Sequence, residues 1–139
     1  MIETTLGKLA NANEIISKLA ECKEASYKEK LFLIKLIKAV SDDTVFFNKS
    51  KNDIIVEFGT KLDDNGNYSL NFNDLGNDKK NEYLTKMNDL FVVPVKVALD
   101  KLKYDENSKL PLSVNDLLLL DDFIEIVDEN GKENEDVND

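Results

Sequence analysis

The chain predicts an α+β fold that is predominantly α: a long antiparallel helical pair, a short two-stranded antiparallel β element and a C-terminal apolar helix. Three observations predict it. Apolar residues recur at helical spacing in four segments, as amphipathic helices require. Ser26 with Glu29 and Ser113 with Asp116 form boxes that start helices. Two short stretches, around Tyr68 and Val95, alternate apolar and polar residues as half-buried strands do.

Residues 6–21 form the first predicted helix. Leu9, Ala12, Ile16 and Leu19 keep helical spacing, and Ile15 and Ala20 widen the stripe. Gly7, Asn11 and Asn13 are poor helix formers and predict a frayed start. The second helix begins at the Ser26–Glu29 box, where each side chain bonds the other's backbone N–H. Leu33, Ile37, Val40, Thr44, Phe47, Ile54 or Ile55, and Phe58 then track one face, and Gly59 predicts a stop in the left-handed conformation. Read as continuous, that helix has about 33 residues and runs roughly 50 Å. Residues 41–44, Ser-Asp-Asp-Thr, are its weak point.

Residues 63–67, Asp-Asp-Asn-Gly-Asn, predict a turn. Tyr68, Leu70 and Phe72 follow as a strand. A third helix starts at Asn77 or Asp78, carries Tyr83, Leu84, Met87, Leu90 and Phe91 inward, and ends before Pro94. Val93, Val95, Val97 and Leu99 alternate as a second strand, which Pro94 places at a sheet edge and which pairs with the first. After a loop at 104–109, a fourth helix starts behind Ser113, with Leu112 packing on Leu117. Leu117, Leu120, Ile124 and Val127 form its stripe, broadened by Leu118, Leu119, Phe123 and Ile126. Residues 1–127 are thus read as one domain. Residues 128–139 hold six acids and one lysine, too little apolar content to order themselves, and are read as a disordered acidic tail.

Composition narrows the function classes. The net charge of −10 opposes nonspecific binding to nucleic acid and docking on anionic membranes, both of which rely on basic surfaces. Every basic residue is lysine, so the planar fork of arginine is unavailable for carboxylate or phosphate recognition. Cys22 is the single cysteine, which rules out an intramolecular disulfide. No apolar run approaches the ~20 residues of a membrane-spanning helix. The opening residues lack a signal-peptide pattern, and the expected location is the cytoplasm.

The order of features resembles an uncharacterised family of small proteins from tailed phages and prophages. The resemblance lies in Asn11-Ala12 and Lys18-Leu19-Ala20-Glu21 on the first helix, then in Gly59 and the turn at 63–67. At the end it takes in Leu112-Ser113, Asp116-Leu117 and residues 120–124. It spans nearly the whole chain. The pattern differs at residues 44–47, where the family often places acidic and basic residues. No activity is assigned to the family, so the resemblance implies a phage setting and supplies no site residue.

Chemical motifs are sparse. With no histidine, neither a Ser-His-Asp nor a Cys-His site is possible, and one cysteine cannot build a zinc site. Neither glycine-rich nucleotide fingerprint is present. Asn71 to Glu82 has the length of a calcium loop, but only Glu82 is charged among the key ligand positions. The pairs Asp42/Asp43, Asp63/Asp64 and Asp121/Asp122 are adjacent, and neighbours on a helix point about 100° apart, so each pair offers one metal ligand at most. No catalytic, cofactor-binding or metal residue is therefore expected.

What stands out is surplus apolar surface. Leu31, Phe32, Leu33, Ile34, Leu36 and Ile37 cover more than half of the second helix, and residues 117–120 are four consecutive leucines. The expected role is a non-enzymatic phage or prophage accessory protein that binds another protein, with virion assembly as the setting. Core packing is the first reading of that leucine run; the sharper reading is a helix offered to a partner, with Leu117, Leu118, Leu120, Phe123 and Ile124 as the partner-binding face. Homo-oligomerisation is a second use of that surface. An alternative reading is an acidic inhibitor of a host defence or nucleic-acid-processing enzyme.

Overall fold

The chain enters the fold as a strand, β1 (Ile2–Thr5), and turns at once into α1 (Leu6–Ala20). The computed structural model describes residues 1–127; the tail expected at 128–139 lies outside them. Helices α2 (Tyr27–Ala39) and α3 (Ser41–Phe58) follow, then a hairpin of β2 (Thr60–Lys61) and β3 (Tyr68–Ser69). A 3-10 turn (Phe72–Asp74) leads into α4 (Asn77–Phe91), then β4 (Pro94–Val97), β5 (Leu102–Tyr104), α5 (Val114–Leu119) and β6 (Ile124–Ile126). The fold is α+β and predominantly α.

α1 runs through the centre and touches α2, α3, α4 and α5. Leu6, Leu9, Ala12, Ile16 and Leu19 are its buried stripe. The helix start does not fray. Thr5 caps it, its hydroxyl accepting the N–H of Lys8, and the N–H of Leu6 donates to the carbonyl of Val93 at 3.0 Å. Gly7 is buried, and a Cβ there would stand 2.9 Å from Cβ and Cγ of Phe91. The residue that reads as a weak helix former is what lets α1 approach α4.

The expected long second helix is two helices. The break falls at Val40, just before the weak point at 41–44. Val40 leaves helical geometry (φ −104°, ψ 6°) and is buried, while its carbonyl accepts both the N–H and the hydroxyl of Thr44. Asp42 and Asp43 then lie in the first turn of α3, where the helix dipole favours negative charge. The antiparallel pair is α3 with α4. Phe47 packs at a tilt on Phe91 and Phe58 meets Tyr83 edge to face, so rising numbers in one helix meet falling numbers in the other. Glu57 and Lys86 add an ion pair across them.

Gly59 stops α3 in extended geometry (φ −90°, ψ 178°), not the expected left-handed one. Its small size matters instead, because a Cβ would meet the carbonyl oxygen of Ile55 at 2.5 Å and that of Ser69 at 2.8 Å. Positive φ occurs at Gly66 (87°), inside the turn at 63–67.

The two predicted strands do not pair with each other. β3 pairs with β2 as a local hairpin, and β4 pairs antiparallel with β1, Ile2 facing Val97 and Thr4 facing Val95. Ile2, Val95 and Val97 are buried, so burial on one face fixes this register. A third pair, β5 with β6, is parallel. It replaces most of the expected C-terminal apolar helix, which ends at Leu119 after six residues. Past a turn, the carbonyl of Phe123 accepts the N–H of Leu102, and Ile124 and Ile126 lie in register with Leu102 and Tyr104. The stripe that reads as helical is satisfied by a turn and a strand that bury Leu120, Phe123, Ile124 and Val127.

Candidate functional site

The apolar segment expected to bind a partner is divided by the fold. Ser113 and Asp116 form the predicted box at 3.1 Å in both directions. Beyond α5, Leu120, Phe123 (1% exposed) and Ile124 are core, and Leu117 packs half-buried against it. Only Leu118, 70% exposed, faces out, with Val114 one turn earlier. Those five residues therefore do not form one accessible face.

A shallow cleft of about 130 Å³ beside Leu118 is lined by Lys8, Asn11, Leu118, Leu119, Asp121 and Asp122. Its Asp122 is already engaged, accepting from the Thr4 hydroxyl at 2.8 Å and lying 3.4 Å from the Lys8 ammonium. Small-molecule sites occupy roughly 300–1,000 Å³, so this cleft suits a side chain and not a ligand.

Glu29 is a buried carboxylate, 5% exposed. Its oxygens accept the N–H of Ser26 at 2.9 Å and the N–H of Lys109 at 3.2 Å. It thus caps α2 and ties that helix to the loop before Leu110, which is structural work. Cys22, half-buried, donates through Sγ to the Glu24 carboxylate at 3.1 Å, and that bond, first, lowers the Glu24 pKa. Among the described residues no three His, Cys, Asp or Glu side chains come together as a metal site requires, and no helix is long and apolar enough to cross a membrane.

Among the described residues, the outer side of α2 is an apolar surface that no other element covers. Its inner side seats Phe32, Leu33 and Leu36 in the core. With about 100° between successive residues, Tyr27, Leu31 and Ile34 fall together on the opposite side as one ridge. They are 90%, 53% and 45% exposed. Lys38 prolongs the ridge, Lys28 and Lys35 lie along one flank, and Lys30 lies along the other, its ammonium 5.6 Å from the Tyr27 ring centroid. Ordinary helices place polar residues opposite the core face. This one places apolar residues on both sides. Leu31 and Ile34 belong to the surplus visible in the sequence. Their status as a separate outward ridge shows only once the inner face is fixed.

Comparison with protein-family models, curated proteins and solved structures finds no match to this chain.

Proposed function

We propose that this chain is a non-enzymatic accessory protein that works by binding another protein through the outer face of α2. The ridge of Tyr27, Leu31 and Ile34 carries the proposal. Scattered exposed apolar residues are ordinary, but three aligned on one helix face with a lysine border make a contiguous patch that gains by being covered. Fully burying a Leu or Ile contributes about 1.5–3 kcal/mol. The half-exposed Leu31 and Ile34 thus offer about 1 kcal/mol each, and Tyr27 adds an aromatic of the kind enriched at binding hot spots. The phage setting and virion assembly come with the resemblance of the sequence, the cytoplasmic location with the lack of a signal-peptide pattern, and all belong to the same proposal.

A tagged pull-down from cells with the phage or prophage active tests it, comparing the native chain with a Leu31→Asp/Ile34→Asp variant whose helical circular dichroism is unchanged. Both residues are solvent-facing, so the variant is expected to fold. A partner captured by the native chain and lost by the variant supports the proposal. Partners retained by the variant count against it. Ridge-dependent capture of capsid, tail or packaging proteins fits assembly, whereas ridge-independent capture of a host nuclease or defence complex favours the inhibitor reading.

A further inference from the structure

We infer that the outer face of α2 takes an acidic amphipathic segment of its partner, apolar side chains on the Tyr27, Leu31 and Ile34 ridge and carboxylates on the lysines beside it. This rests on the protein-binding role proposed above and adds the chemistry of the partner.

Charge is the basis. α2 holds four lysines and one acid, so it is +3 in a chain of −10, and the rest of the chain is −13. The one acid, Glu29, is buried and bonded to backbone N–H groups, so every charge the helix itself shows on its outer face is a lysine; Glu24, just ahead of the helix, lies within Coulombic reach of Lys30. Five of the thirteen other lysines of the described residues pair with carboxylates: Lys8 with Asp122, Lys18 with Glu14, Lys61 with Asp64, Lys79 with Glu82 and Lys86 with Glu57. None of Lys28, Lys30, Lys35 and Lys38 is in an ion pair among the described residues. A cationic, apolar strip on an otherwise acidic protein is complementary to few things.

Polyanions meet half of its requirements. A nucleic acid supplies phosphates for the lysines, but its backbone does not cover an aliphatic ridge, and the −13 remainder repels it. An anionic bilayer is opposed by the same field. A short segment with an apolar stripe bordered by Asp or Glu meets both requirements and brings few charges near the acidic remainder. Its ion pairs set orientation and association rate more than affinity, and the ridge supplies the affinity.

Fluorescence anisotropy on the full chain with three labelled peptides tests this. The first is a helical peptide with leucines at i, i+4 and i+7 bordered by glutamates. The second keeps the leucines and replaces the glutamates with lysines. The third is the chain's own residues 128–139, net −5 with Val137 as its one apolar residue, and so tests charge without a ridge. The first alone is expected to saturate. Its binding should weaken as salt is raised, because exposed ion pairs are screened. It should fall about tenfold or more in Leu31→Asp/Ile34→Asp, and by a similar factor in Lys30→Glu/Lys35→Glu. Equal binding of the second peptide removes the role of charge, and equal binding of the third removes the role of the ridge; either overturns the inference. So does tighter binding of single-stranded DNA or of phosphatidylserine vesicles, or no binding at all. Failure of all three peptides, beside ridge-dependent capture in the pull-down, leaves the binding role standing and discards the acidic partner.

Discussion

Replacing Gly7 with alanine separates helix propensity from packing, because the two effects have opposite signs. Alanine favours a helix interior over glycine by about 0.5–1 kcal/mol, and by less in a first turn such as this. Against that gain stands a collision. The new Cβ meets Cβ and Cγ of Phe91 at 2.9 Å and the Phe91 carbonyl oxygen at 3.0 Å, where carbons rest comfortably at about 3.5–4.0 Å. Phe91 cannot swing aside. Two of the three atoms are fixed to the α4 backbone or its first side-chain bond, and the ring packs at a tilt on buried Phe47 at 5.5 Å. Helix α1 must move away from α4 instead, which strains the 3.0 Å bond from Leu6 to Val93 and the β1–β4 pairing next to it. Overpacking of this kind costs about 1–3 kcal/mol, so the net effect is a loss of about 1–2 kcal/mol. For a domain of this size that lowers Tm by roughly 3–8 °C. Thermal unfolding followed by circular dichroism, with urea unfolding as a check, reads it directly. A Tm equal to or above that of the native chain would refute the close approach of α1 and α4.

The remaining predictions concern other parts of the fold. Glu29→Ala removes the acceptor for two backbone N–H groups and should cost about 1–3 kcal/mol in urea unfolding, with Glu29→Gln, which keeps one carbonyl oxygen, losing less. Phe123→Ala should cost about 3–5 kcal/mol by opening a core cavity, whereas Leu118→Ala should change stability by less than about 0.5 kcal/mol; equal effects would contradict the division of that segment into core and surface. The Asp63 carboxyl is held below its ordinary value of 3.8, first by the Asn67 side-chain amide and then by the Asn65 N–H. A depressed pKa stabilises the turn above that ordinary value, and the gain is lost as pH falls through the lower folded value. Amide shifts of Asn65 and Asn67 should accordingly titrate with a midpoint below 3.8; a midpoint above 3.8 would refute the capping.

Local features are legible in the sequence because both partners sit within a few residues. The boxes at Ser26–Glu29 and Ser113–Asp116, the turn at 63–67 and the stop before Pro94 each depend on nearby side chains, and each forms as read. What is not legible depends on distant neighbours. β1 exists because Ile2 and Thr4 bury against a strand more than ninety residues later, and four residues cannot announce that pairing. Residues 117–127 suit a helix by periodicity alone. The parallel partner Leu102–Tyr104 draws Ile124 and Ile126, both β-branched, into a strand. Gly7 and Gly59 show the same limit from the other side. In the sequence they are a poor helix former and a helix stop, and in the fold they are places where a Cβ would collide with another element. The site follows this pattern. The surplus of Leu31 and Ile34 and the apolar character that suits residues 117–127 to a core are visible in the sequence, whereas the split of that segment into buried Leu120, Phe123 and Ile124 and exposed Leu118 is decided by its distant partners.

Site-specific photo-crosslinking tests the central claim most directly. A photoreactive amino acid is placed at Ile34 on the outer face of α2 and, in a parallel sample, at Leu118 on α5, and both are irradiated in cells where the phage or prophage is active. A discrete crosslinked protein from position 34, absent from position 118 and lost when Leu31 is changed to Asp, is the expected result. Crosslinks from position 118 alone, or the same bands with and without Leu31→Asp, would contradict binding through α2.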